Sequence, residues 1–234
     1  MSADVLALRP DYRALLLVAT GLVPGQGEAG AEALLRRAEA HAITLLEDRP
    51  VEELAHVASW REAYRAFGAK PQRTRNSLEA LTRRAPSGLP RVNPLTDVYN
   101  AISVLHQVPV GGEDLDAYRG SPRLVRADGT EAFDATSDGQ EVLEHPEVGE
   151  VVWCDDAGVT CRRWNWRQGR RTALRADTTS ALFIVDALDA VSDADLRAVA
   201  TSLSDHLRDL GPDVRVAERL IGRVTRTDRG EVPS

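Results

Sequence analysis

NSLEALTRRAPSGLPRVNPLTDVYNAISVLHQVPVGGEDLD, residues 76–116, is the stretch from which the rest of the chain is read. Asn93 suits an N-cap, and Pro94 suits the first helical position, where a missing N–H costs nothing. Leu95, Val98, Ile102 and Leu105 then repeat at helical spacing and predict a core-facing stripe. Asp97 and Asn100, three apart, are neighbours on one flank of that helix. Pro109 followed by Gly111-Gly112 stops it near Gln107, and the two glycines read as a tight turn of bare backbone. A carboxylate, an amide and open backbone thus come close together, which suits a small-ligand site or a solvated helix flank. Upstream, Asn76 and Glu79 have capping-box spacing for a helix through Arg84, with Pro86, Gly88 and Pro90 as a hinge.

Outward from this stretch, Tyr12–Val23 is an apolar run between two prolines and reads as a buried strand. Gly25, Gly27 and Gly30 follow, then a helix to about Leu46. Strand, G-x-G-x-x-G and helix open a dinucleotide unit. The second strand ending in an acid is missing, because Glu47-Asp48-Arg49-Pro50 leads into the amphipathic stretch Val51–Phe67. The glycines therefore read as a connection. Beyond Asp116, SPRLVRA, EAFDAT, EVVWCDD, VTCRRWNW and ALFIVDAL are short strand-like runs between turn signals. Ser192 caps a last helix, and VRVAERLIG can return as an edge strand. The class expected is α+β, a mostly antiparallel sheet with helices on one side. The organisation expected is an N-terminal strand–helix extension over 1–59, an α+β domain over 60–224 and a polar disordered tail over 225–234.

The 234 residues are 43% apolar, enough for a full core, and the aromatics are few. No apolar run approaches the roughly 20 residues that cross a bilayer, and the start MSADVLALRPD lacks a secretory pattern. A cytoplasmic protein without membrane contact is expected. Cys154 and Cys161 flank a turn at Ala157-Gly158 that would set them opposite each other, as reduced thiols. No zinc spacing, P-loop or G-x-S-x-G occurs, so neither metal nor cofactor is expected. The net charge of −7 argues against indiscriminate nucleic-acid binding, and DNA is not an expected partner. Yet residues 161–175 carry +6 and residues 70–91 carry +5, leaving −18 elsewhere. In Arg162-Arg163-Trp164-Asn165-Trp166-Arg167, strand alternation would place both indoles on one face and Arg163 and Arg167 on the other. Guanidiniums grip phosphates and indoles stack on bases, so RNA contact and a plain core role both fit.

NPLTDVYNAISVLHQVPVGGEDLDAYRG, then GEVVWCDDAGVTCRRWNWR and ALFIVDA, resembles the editing module of the phenylalanyl-tRNA synthetase β subunit, more closely the free-standing proteins built from that module. The likeness covers about Trp60–Leu188. It implies a trans-editing hydrolase that deacylates mischarged aminoacyl-tRNA, with the tRNA acceptor end as partner and a synthetase as a further one. The alternative it implies is a non-catalytic tRNA- or amino-acid-binding module. The synthetase helix reads D-V-T-N and its turn P-M-H-A-F-D. Asp97 and Asn100 match, whereas Tyr99 stands at the Thr position and Gly111 at the His position, which changes the expected preference. By that resemblance Asn100, Gly111 and Gly112 are the catalytic group: Asn100 orients water or ribose, and the glycine N–H groups meet the ester oxygen. Asp97 or Asp186 holds the ammonium group beside Tyr99. Arg162, Arg163 and Arg167, with Trp164 and Trp166, face the acceptor stem.

Overall fold

A computed structural model describes residues 1–137 and 139–222. A short helix α1 (Ala3–Leu8) leads into strand β1 (Arg13–Thr20). Helices α2 (Glu28–Leu45), α3 (Ala55–Ala66), α4 (Ser77–Arg84) and α5 (Pro94–His106) follow. Strands β2 (Val110–Asp114), β3 (Arg123–Arg126), β4 (Phe133–Ser137), β5 (Gln140–Glu144), β6 (Val151–Cys154), β7 (Val159–Arg162), β8 (Arg167–Gln168) and β9 (Ser180–Ala187) come next. Helix α6 (Asp193–Arg208) and strand β10 (Arg215–Gly222) close the described chain. The expected tail at 225–234 lies outside the described residues.

Two sheets form, and the class is α+β as expected. One sheet runs β10-β1-β9-β2, antiparallel throughout. The other runs β3-β6-β7-β4-β5 with β8 on β7; its pairs are antiparallel except for one parallel bridge between β4 and β7. The four-stranded sheet is covered on both faces. Leu15, Leu17, Phe183 and Val185 pack with residues of α2, α5 and α6. The alternate residues Ala14, Leu182 and Ile184 pack with Trp60, Tyr64, Trp153 and Trp164 from α3 and the second sheet. Burial on both sides explains why β1 and β9 are nearly continuous apolar runs rather than alternating ones.

Local chemistry sets the helix ends. Asn93 Oδ1 accepts the Thr96 N–H at 2.9 Å, and Asn76 Oδ1 accepts that of Glu79 at 2.9 Å. The second half of the expected capping box is not made: the Glu79 carboxylate turns to Arg61 at 2.7 Å. Helix α5 ends on Gln107 in the left-handed region (φ 52°), because Pro109 forbids another turn. Its flank is not solvated, since Asp97 and Asn100 are both buried beside the core stripe.

Three expectations are corrected. Gly111-Gly112 is not a turn but lies inside β2, paired with Ile184 and Phe183 of β9. The basic-aromatic run is not a strand throughout. Residues 163–166 are the turn between β7 and β8, with Arg163 (φ 47°) and Trp164 (φ 68°) both left-handed, so face alternation does not apply. A register shift at Trp153/Cys154 puts Cys161 opposite Trp153 instead of Cys154, and both cysteines are free and buried.

Candidate functional site

A cavity of about 260 Å³ opens where α5, the β2 edge and the β7–β8 turn meet. Strand periodicity builds its floor. Gly111 and Glu113 of β2 stand opposite Ile184 and Leu182, so they share the face that looks toward the second sheet. Asp186 follows Leu182 and Ile184 at intervals of two and joins the same face. All three residues line the cavity, as do Tyr99 and Asn100 from α5.

The two carboxyls are buried, Glu113 at 1% and Asp186 at 2% exposure. Tyr12 donates to Asp186 Oδ1 at 2.5 Å, and the Tyr118 hydroxyl donates to Glu113 Oε2. Burial pushes Glu113 up to about 8 and Asp186 up to about 7, so near neutrality much of this acidity is held as neutral carboxyl. Cys161 also lines the floor, and burial raises its thiol well above the ordinary value, which makes it a poor nucleophile.

The β7–β8 turn supplies one wall. Its left-handed pair turns Trp164 inward, where the ring sits 4.9 Å from that of Tyr12 and 5.3 Å from that of Trp60. A bulky residue at positive φ costs on the order of 1–3 kcal/mol, and such strain persists where surrounding contacts over-determine it. Here they include Trp164 N–H to the Val151 carbonyl at 2.7 Å and Ser77 N–H to the Asn165 carbonyl at 2.9 Å. Asn165 Oδ1 accepts from Tyr64 at 3.0 Å. Several buried polar atoms of lining residues find no partner among the described residues: Ser77 Oγ, Glu113 Oε1, Trp153 Nε1, Trp164 Nε1 and Asn165 Nδ2. Buried polar groups are normally satisfied, so their convergence on one cavity marks it as a place for a polar ligand.

The glycines have separate roles. A Cβ at Gly112 would lie 2.8 Å from the Tyr99 ring and 2.7 Å from Leu174, so glycine lets α5 close on the strand. A Cβ at Gly111 would lie 3.4 Å from Gln168 Nε2, on the cavity side. Gln168 ties the elements together, donating to the Gly112 carbonyl at 2.7 Å and accepting from Tyr99 at 3.3 Å. The Asp186 N–H bonds the Pro109 carbonyl, so by alternation Gly111 also faces β9, whereas Gly112, which does not line the cavity, faces the opposite edge, partly covered by Gln168 and by a bridge from Glu113 to Ala173. The Gly111 amide is therefore not free for an ester oxygen, a correction to the expected pair of glycine donors.

The remaining expected residues divide. Trp166 and Arg167 line the mouth. Asp97 does not reach the cavity; its Oδ1 accepts the Val92 N–H at 2.9 Å and shapes the segment before α5. Arg162 is internal, bonded to Glu150 at 2.9 and 2.8 Å and to Glu144 at 2.8 Å, so it cannot meet an acceptor stem as expected. Arg163 bonds Glu150 and stacks 4.6 Å above Trp166, and Arg167 bonds Glu144 at 2.9 Å. Glu113, Asn165, Gln168, Tyr12 and Ser77 were not anticipated. Glu113 was within reach of the sequence: once β2 is read as a strand, period two places it with Gly111. Among the described residues no cluster of His, Cys, Asp and Glu is arranged for a metal, and no helix is long and apolar enough to cross a membrane.

A family model described as the B3/4 domain matches residues 59–208, which include these lining residues and exclude Tyr12. No curated protein matches the chain.

Proposed function

This chain belongs to the B3/4 domain family, the domain found in the editing module of the phenylalanyl-tRNA synthetase β subunit, and from that premise we propose that it deacylates mischarged aminoacyl-tRNA in trans. The observation that carries the reading is the cavity itself, where Asn100 and the bare face of β2 border a polar, buried floor. An aminoacyl ester is already activated, with its own amine and ribose hydroxyl beside the carbonyl. Positioning a water and polarising the carbonyl suffice, without a protein nucleophile.

In this reading the ester lies at the mouth. Asn100 orients the water or the ribose, and Gly111 lets the substrate lie against the strand. The donor for the ester oxygen is the Gly112 N–H, on the edge of β2 away from β9 and next to Gln168, which lines the cavity. Trp166 offers a stacking surface for a terminal base. Phosphate contacts fall to Arg163 and Arg167, supplemented by Lys70 and Arg73, which border a second concavity with Arg163. Lys70 and Arg73 make no ion pair among the described residues, unlike Arg162.

The test is a panel of mischarged tRNAs. Ester loss is expected for some of them and is expected to fall by about 100-fold in Asn100→Ala, in keeping with the loss of an orienting or oxyanion group. Wild-type protein that hydrolyses none of the panel sinks the hydrolase. A binding module is the second reading, favoured by a cavity lined by no histidine among the described residues and by a protonated Cys161. Its signature is tRNA binding without turnover.

A further inference from the structure

An acyl group entering the cavity with its ester at the half-exposed mouth must end its side chain against the buried floor. Resting on the deacylase reading, we propose that the side chain accepted there ends in a primary ammonium group: a basic amino acid on an aliphatic stem, of the lysine or ornithine type.

The floor carries two carboxyl groups, Glu113 and Asp186, and among the described residues neither has an ion-pair partner; their direct partners are the Tyr118 and Tyr12 hydroxyls. Glu113 Oε1, an acceptor on a side chain 1% exposed, makes no hydrogen bond among the described residues. Most other buried acids are matched with arginine: Glu150 with Arg162, Asp155 with Arg171, Glu79 with Arg61; Asp97 instead accepts a backbone N–H. Glu113 and Asp186, without an ion pair among the described residues, both face the cavity. Burial without a cation holds a carboxyl in its neutral form, and a ligand cation offsets that by letting it ionise against a partner.

The walls point the same way. Tyr99, Trp153, Trp164 and Trp166 border the cavity, and aromatic faces attract an ammonium group by about 0.5–2 kcal/mol each when desolvated. Leu81 and Ile184 provide apolar surface for a methylene stem between mouth and floor. The one cation among the described lining residues, Arg167, is at the mouth and is held by Glu144 and the Thr136 carbonyl. The floor is left to the ligand's charge. An uncharged alkyl end would bury Glu113 Oε1 with nothing to bond.

Lysinamide and norleucinamide separate side-chain recognition from recognition of the α-amine, which both carry. Titration calorimetry with the full chain is expected to show lysinamide binding about ten-fold or more tightly than norleucinamide. That preference is expected to vanish in the Glu113→Gln/Asp186→Asn pair, which keeps the shape; a circular dichroism spectrum matching wild type establishes that the pair folds, and each single variant serves if the pair does not. Equal or tighter binding of norleucinamide, or of tyrosinamide, overturns the proposal, as does a lysinamide preference that survives the substitutions. Deacylation of lysyl- and norleucyl-tRNA distinguishes the two levels. Lysinamide preference without hydrolysis of any tRNA refutes the deacylase and leaves the ammonium pocket standing; hydrolysis indifferent to side-chain charge does the reverse.

Discussion

Adjacent glycines show how differently two identical residues can be constrained. Gly112 is hemmed in by Tyr99 and Leu174, and Gly111 borders open space with only Gln168 nearby. Gly112→Ala is therefore expected to cost about 1–3 kcal/mol of stability, through displaced neighbours. Gly111→Ala is expected to cost less than about 1 kcal/mol and to act on the cavity instead. Urea unfolding of both variants checks this; equal destabilisation would contradict the distinction. Glycine identity was legible in the sequence, but the contrast was not, since it depends on α5 folding back over β2. The same holds for Arg162 and Arg167. Both belong to one basic run, yet one is internal and the other is at a cavity mouth.

At the scale of elements, His56 holds three of them in register. From α3 its Nδ1 meets the Gln107 carbonyl at the end of α5 at 2.9 Å, and its Nε2 accepts the Leu188 N–H just past β9 at 3.1 Å. Accepting at Nε2 requires a neutral ring, and burial lowers its pKa from 6.5 to about 4. The unfolded ring thus binds a proton more readily than the folded one, and the His56 contribution to folding stability is lost as pH drops from about 6.5 to about 4. The loss amounts to roughly 3 kcal/mol at most. Measured by unfolding across that window, the stability difference between wild type and His56→Gln is expected to shrink as pH falls, superposed in both on the opposite trend from Glu113 and Asp186. A constant difference would mean that the ring does not titrate with folding. Helices α4 and α5 were predictable from their caps and stripes, because these signals are local. The β7–β8 turn was not, because two left-handed non-glycine residues go against local preference and persist only under tertiary contacts.

For the molecule as a whole, the cavity floor gives pH dependence of the opposite sign. Glu113 and Asp186 keep their protons in the fold to about 8 and about 7, whereas the unfolded groups ionise near ordinary carboxylate values. Stability is greatest with both protonated and declines as pH rises through the folded values. Above the His56 window, between pH 6.5 and 8, the decline is expected to be on the order of 2 kcal/mol. Glu113→Gln/Asp186→Asn, unable to ionise there, is expected to be flat over that range by denaturant unfolding. A wild-type profile equally flat would show that the floor is not desolvated. By itself the sequence determined the α+β class, the helix boundaries at Asn76 and Asn93, the strand character of Arg13–Thr20 and Ser180–Ala187, and through the 76–116 stretch the family. All of these follow from caps, periodicity and residue order, which are properties of neighbours along the chain. The tertiary structure alone decided that Asp97 turns away from the cavity while Asn100 faces it, that Arg162 is buried on Glu150, and that Glu113 and Asp186 share one floor. Those outcomes depend on which residues distant in sequence meet when two sheets and their helices close on each other, and burial, not spacing, then sets their chemistry.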